Sequence, residues 1–203
     1  MKSDILADVK EYYQSKVVKY LLQYALIVVV AILFYMLNIS FADSKWSNKE
    51  FAIFAIIGSV GLFIFICVKL LTAYTNLMKS IKERHPTETE QIELVHDFQE
   101  AYSVFFDEMR IGKDYTFIAN DKGCWIIDTH KIVDFIQLEK HGKYGAIIEI
   151  YVIVDSESVT QTRSICVRDN ATKANAEEQM QEAKSVLRQM QEGSGRVGLP
   201  DTQ

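Results

Sequence analysis

The sequence is poor in cysteine, has no excess of basic charge and lacks glycine-rich phosphate-binding signatures, and each shortage removes a class of function. Its three cysteines, Cys67, Cys124 and Cys166, are odd in number and none stands in a Cys-x-x-Cys spacing. That leaves neither a disulfide framework nor a zinc site, and packing is their expected role. Lys and Arg total 22 against 27 Asp and Glu, for a net charge of −5. Neutralising nucleic-acid phosphates takes a basic stripe, so no nucleic acid is expected as a partner. Neither a P-loop nor a dinucleotide-binding fingerprint occurs, and no cofactor is implied.

What the chain does have is long apolar runs at one end. "YLLQYALIVVVAILFYMLNI", residues 20–39, holds 20 residues without a charge. As a helix rising 1.5 Å per residue it would extend about 30 Å, the hydrocarbon thickness of a bilayer. "FAIFAIIGSVGLFIFICV", residues 51–68, adds 18 uncharged residues, and its apolar character continues past Lys69 to residue 72. Two transmembrane helices, 20–39 and 51–72, are therefore expected. Burying both in a soluble core would require protein on every side, more than the rest of the chain supplies. Ser40, Phe41 and Ala42 have the form of a signal-peptide cleavage site, but signal peptides carry apolar regions of only about 7 to 15 residues.

Lys2, Lys10, Lys16 and Lys19 precede the first run, and Lys69, Lys79, Lys82 and Arg84 follow the second. The connecting loop, 40–50, carries only Lys45 and Lys49, with Trp46 as an interfacial anchor. The positive-inside rule then puts both termini in the cytoplasm of a multi-pass plasma-membrane protein. Two spans without intramembrane charge make a poor path for ions or protons, and are read as an anchor. Ala55, Gly58, Ser59 and Gly61 offer a small-residue face for helix packing, within the hairpin or between copies.

Leu70, Tyr74, Leu77, Met78 and Ile81 keep helical spacing, so the second span continues as a stalk until Pro86. "PTETEQ" then starts a new helix, with Thr87 as N-cap and Glu90 as its capping-box partner. Val95, Phe98, Tyr102, Phe105 and Met109 recur at steps of three and four, an apolar stripe along a helix over 87–110 that Gly112 would stop. This candidate interaction stripe is expected to pack on the following sheet, with a helix contact in a dimer as the alternative.

From Asp114 the period changes to two. "DYTFIANDKGCWIID" reads as a hairpin turning at 120–123, with Trp125 and Ile127 on one face. "KIVDFIQLEK" gives a third strand, and "AIIEIYVIVD" a fourth whose Ala146, Ile148, Ile150, Val152 and Val154 form an unbroken apolar face, as a central strand requires. "TRSICVRD" is a fifth, and residues 174–191 form a closing amphipathic helix through Ala176, Met180, Ala183, Leu187 and Met190. The expected class is an α+β membrane protein. Residues 1–85 hold the N-terminal segment, transmembrane hairpin and stalk; 86–192 form a cytosolic helix, five-stranded antiparallel meander and capping helix; 193–203 form a flexible tail.

The hairpin of helices, the hairpin strands, "HKIVDFIQLE", the long apolar strand and the last helix resemble the pleckstrin-homology-like (PH-like) domains of membrane-anchored bacterial proteins. Trp125-Ile126-Ile127 ahead of Lys131-Ile132-Val133-Asp134 is similar to a segment that recurs in them. The resemblance covers about residues 113–191 plus the helical hairpin and implies a small bent sheet used for binding. The standard domain has seven strands where five are read here, so either the strand from Lys131 bends into two or the domain is a reduced relative.

Recognition of anionic lipid headgroups needs a basic surface. Residues 113–192 carry ten Lys and Arg against thirteen Asp and Glu, and Glu88, Glu90, Glu93, Asp97, Glu100, Asp107 and Glu108 precede them against Arg110. Anionic headgroups are therefore not expected as ligands, although Lys140 with Lys143 is a local basic cluster. For metal or nucleophilic chemistry the pairs Asp128 with His130, Glu139 with His141 and His96 with Asp97, and the thiols of Cys124 and Cys166, come without a surrounding motif; they read as solvated turn residues and packed thiols. No catalytic, cofactor-binding or metal residue is assigned. The expected function is a membrane-anchored binding or scaffold module that recruits a protein partner, or a second copy in a homo-oligomer, at the inner membrane face. The alternatives are an accessory or sensory subunit of a transport or signalling complex acting through the transmembrane hairpin, and an enzyme with an unrecognised site.

Overall fold

The computed structural model describes residues 4–41, 46–142, 145–155, 163–171 and 173–193. The expected tail after residue 193, Lys143 and the side chain of Trp46 lie outside the described residues. Two long helices, α1 (Ala7–Phe41) and α2 (Trp46–Arg84), open the fold. Both are long and apolar enough to cross a membrane, over Ala7–Leu37 and Ile53–Arg84. Leu22, Leu26, Phe34, Phe54 and Phe65 are all more than half exposed, as suits helices surrounded by lipid.

Helix α1 starts well before the apolar run, and its first turns are not a mere charged flank. Leu6, Val9, Tyr13, Val17 and Tyr20 are buried, at the spacing of one helical face, together with Leu70, Leu77 and Ile81 of α2. The end of each apolar helix is thus part of a protein core.

Helix α3 (Glu88–Glu100) begins at the expected box: Thr87 accepts from the Glu90 N–H, and Glu90 accepts from the Thr87 N–H at 3.0 Å. It ends ten residues before the expected helix does. Tyr102–Val104 is strand β1 and Met109–Ile111 is β2, joined by a turn in which Phe105, Phe106 and Asp107 have φ of 53°, 56° and 63°. Three successive left-handed residues cannot belong to a right-handed helix. The aromatic and β-branched residues of 102–106 favour extended structure once α3 has ended, and their steps of three and four arise from a strand, a turn and a strand in succession. Gly112 has another reason to be glycine: a Cβ there would lie 2.8 Å from both Asp97 Cγ and the Tyr115 carbonyl oxygen.

With β3 (Tyr115–Asn120) and β4 (Gly123–Asp128), β1 and β2 make a four-stranded antiparallel sheet in sequence order. A 3₁₀ turn, Thr129–Lys131, leads into a three-stranded sheet of β5 (Ile132–Gly142), β6 (Gly145–Val154) and β7 (Arg163–Ala171). Among the described residues there are seven strands, not five; the added two come from the second half of the expected helix, while β5 stays whole despite a register shift between Ile132 and Asp134. Strand β6 is central, and its Ile148, Ile150, Val152 and Val154 are buried. Helix α4 (Lys173–Gly193) closes this side with Ala176, Ala183, Val186 and Leu187.

The four-stranded sheet is covered on both faces. Phe117 and Ala119 of β3 join the core built with α1, α2 and α3, whereas Ile118 joins the core shared with the second sheet and α4. Three layers result: helices, four-stranded sheet, then three-stranded sheet with α4.

Candidate functional site

Two features have the geometry of a functional site: the joint between α1 and the sheets, and a groove between α2 and the sheets. In the joint, Tyr12, Lys16, Tyr20 and Tyr24 recur every four residues along one face of α1, and each makes a polar contact. The Tyr12 hydroxyl donates to the Asp107 carbonyl at 2.9 Å, and Lys16 Nζ lies 3.1 Å from Asp107 Oδ2. The Tyr20 hydroxyl donates to Glu108 Oε1 at 2.9 Å, and the Tyr24 hydroxyl to Asp121 Oδ2 at 3.2 Å. From the next position on the helix, Tyr13 donates to the Trp125 carbonyl at 2.7 Å. Arg110 Nε donates to Asp107 Oδ1 at 2.7 Å, and its guanidinium carbon sits 4.8 Å from the ring centroids of both Tyr12 and Phe98.

Asp107 therefore anchors two cations from the left-handed turn. Partial burial opposes its ionisation, but the hydrogen bonds from Arg110 and Lys16 outweigh that and hold its carboxyl below the ordinary value. Neighbouring Glu108 goes the other way: burial raises it, only partly offset by the hydrogen bond from Tyr20.

The groove has a volume of about 1110 Å³. Leu77, Ser80, Ile81 and Arg84 of α2, with His85 just after it, form one wall, and Tyr115 and residues 122–128 the other; Lys131, Val154, Asp155, Arg163 and Ile165 complete it. Among the described residues, four cationic side chains, Arg84, Lys122, Lys131 and Arg163, line it with two carboxylates, Asp128 and Asp155. His85 stands edge-on to Tyr115 with ring centroids 5.2 Å apart, and burial lowers its pKa, which favours the neutral ring.

The residues of the expected stripe are separated. Val95 and Phe98 lie on α3, Tyr102 on β1, Phe105 in the turn and Met109 on β2. Phe98 packs edge-on against Phe117 in the helical core at 5.1 Å, whereas Phe105 meets Phe135 in the other core at 5.9 Å. They do not form one surface. Of the small residues on α2, Ser59 donates to the Ala55 carbonyl at 2.8 Å, and the places a Cβ would take at Gly58 and Gly61 have nothing within 4 Å, so both glycines face away from α1.

The candidate chemical groups hold local structure. Asp128 caps the 3₁₀ turn by accepting from the His130 N–H at 2.9 Å, and Asp97 accepts from the N–H groups of Lys113 at 2.7 Å and Tyr115 at 2.8 Å. His96 lies 3.5 Å from Glu100, and His141 3.6 Å from Glu139, all exposed. Burial pushes the Cys124 thiol up to about 12, and Cys166 Sγ contacts the Arg168 carbonyl oxygen at 3.5 Å. Among the described residues no three His, Cys, Asp or Glu side chains converge as a metal site. Tyr12, Lys16, Tyr20 and Tyr24 were signalled in the sequence by their four-residue spacing; nothing local pointed to Asp107 and Arg110 as their counterparts.

A family described as a domain of unknown function, DUF6709, matches residues 72–198, well over half of the chain. The chain belongs to the DUF6709 family. The matched DUF6709 region takes in the α2 wall of the groove, α3, both sheets and α4, and leaves α1 outside. Among curated proteins and among solved structures, nothing matches the chain.

Proposed function

We propose that this DUF6709 protein is a two-span anchor of the plasma membrane that holds a cytosolic PH-like module, and that the module binds an acidic segment of a protein partner in the groove between α2 and the sheets. The observation that carries this reading is the gathering of Arg84, Lys131 and Arg163 in the groove, with Lys122 beside them and 3.4 Å from Asp121, in a chain whose net charge is −5. Such a concentration of positive charge against the overall balance selects an acidic ligand. At the Arg84 end of the groove, the distance from the bilayer argues for a protein ligand over a lipid. Arg84 lies fifteen residues beyond Lys69 on one continuous helix, roughly 22 Å along its axis and between two and three screening lengths from the headgroups.

The PH-like assignment is supported by the division into four and three strands closed by a C-terminal helix, the strand number that the resemblance implies. The inward orientation of both termini is supported by the lysines and arginines that flank the apolar helices. A sensory or accessory role through the hairpin has its own support in the α1 joint, because displacement of α1 would pull on the turn at Asp107. One experiment separates the two readings. Full chain in mild detergent captures partners from membrane extracts, alongside an Arg84→Glu, Arg163→Glu variant and a Gly58→Leu, Gly61→Leu variant. Binding in the groove requires that the charge reversal abolish capture and the leucines spare it; the opposite pattern refutes the groove and supports the hairpin.

A further inference from the structure

A second, smaller cleft of about 250 Å³ lies between α1, the turns of the four-stranded sheet and β7, lined by Tyr20, Gln23, Tyr24 and Ile27 and by Glu108, Asp121 and Arg168. Residues 20–27 are the first turns of the apolar run, so under the membrane-anchored reading, on which this inference rests, the cleft opens at the level of the lipid headgroups. Ile27, 61% exposed, lies at its apolar end.

Its charges are of both signs. Glu108 accepts from Tyr20, and Asp121 accepts from Tyr24 and lies 3.4 Å from Lys122. Facing them is Arg168, whose guanidinium carbon is 4.3 Å from the centroid of the Phe106 ring. Arg168 Nε is itself buried and has no hydrogen-bond partner among the described residues, while the side chain lines the cleft. A buried cationic donor without an acceptor is costly, and the guanidinium fork matches the geometry of a phosphate. A purely anionic ligand would satisfy Arg168 but meet two carboxylates; a zwitterion with N–H donors satisfies all three.

We propose that this cleft binds the headgroup of a phospholipid bearing a primary ammonium group, with the phosphate on the Arg168 guanidinium and the ammonium between Glu108 and Asp121. The acyl chains then run along α1 past Ile27. A quaternary ammonium has no N–H to donate to the carboxylates, and a glycerol headgroup has no positive charge, so both bind less well. A soluble phosphoethanolamine ester carries the same polar groups without the chains that Ile27 would meet.

The test is native mass spectrometry of the delipidated full chain in mild detergent, titrated with phosphatidylethanolamine, phosphatidylcholine or phosphatidylglycerol of equal chain length. Phosphatidylethanolamine should be retained about tenfold more strongly than either other lipid, the worth of one charge-assisted hydrogen bond. Arg168→Gln should weaken retention of phosphatidylethanolamine and phosphatidylcholine alike, and Glu108→Gln with Asp121→Asn should remove the difference between them. Equal retention of all three lipids by the unaltered chain overturns the proposal without recourse to any variant, as does retention indifferent to Arg168→Gln. Glycerophosphoethanolamine binding as tightly as the lipid overturns the assignment to a lipid. Alkaline carbonate extraction of membranes checks the anchoring separately: a chain released by carbonate refutes the membrane reading, while a chain that stays but does not discriminate headgroups refutes the cleft alone.

Discussion

Asp107→Asn is the sharpest probe of how α1 is held. Asp107 has φ of 63°, and Asn is one of the few residues at ease there, so the substitution removes the charge and leaves the turn intact. It loses the charge-assisted contacts to Lys16 at 3.1 Å and Arg110 at 2.7 Å. The Asp107 side chain is 34% exposed and that of Lys16 only 10%. Solvent screens the aspartate, but the lysine ammonium is left nearly buried without its counter-charge. Weighing an upper figure of about 3 to 5 kcal/mol for breaking a buried pair against about 1 for an exposed one gives a loss of about 2 kcal/mol. If α1 opens locally, amide hydrogen exchange over residues 9–17 should quicken roughly thirtyfold. Adding Lys16→Met removes the stranded charge and should restore most of the protection. The pH dependence has a definite sign. Because the folded carboxyl titrates below its ordinary value, its contribution is complete above the unfolded carboxylate pKa, about 4, and is lost as pH falls through the lower folded value. Exchange unchanged by Asp107→Asn at neutral pH would refute the account of the joint.

Three other outcomes are expected. Gly112→Ala forces a Cβ to within 2.8 Å of Asp97 Cγ and the Tyr115 carbonyl oxygen, and thermal unfolding in detergent should report a loss of about 1–3 kcal/mol. Thr87→Ala removes the capping box of α3 and should cost about 1 kcal/mol in the same assay. Cys124, buried and with its thiol raised to about 12, should resist maleimide at neutral pH in the folded chain and react once denatured; ready alkylation of the native protein would contradict its burial.

Much of the fold was legible because it depends on local chemistry. The Thr87 box, the turn between Asn120 and Gly123, the apolar alternation of β6 and the amphipathic face of α4 each occupy a few consecutive residues, and all four stand where the sequence indicates. What misled was a stripe with two interpretations. Val95 to Met109 satisfies helical spacing, yet only the first two residues are helical, because the chain from Tyr102 gains more as strands sealing the core around Phe105 and Met109. The docking of α1 was half visible: its helical face could be counted in Val9, Tyr13, Val17 and Tyr20, but the partners are about ninety residues or more away, at Asp107, Glu108 and Trp125. The groove and the cleft were invisible for the same reason, since α2 meets β4, and α1 meets β7, only in three dimensions.

The central claim is that the sheets lie on the cytoplasmic side of the membrane, fixed to both apolar helices. It is tested most directly by placing one cysteine at Lys140, whose side chain is 61% exposed, in a chain with its three native cysteines replaced, and treating intact cells with a membrane-impermeant maleimide. No labelling until the cells are permeabilised is the expected result; labelling of intact cells would put the sheets outside and contradict the account.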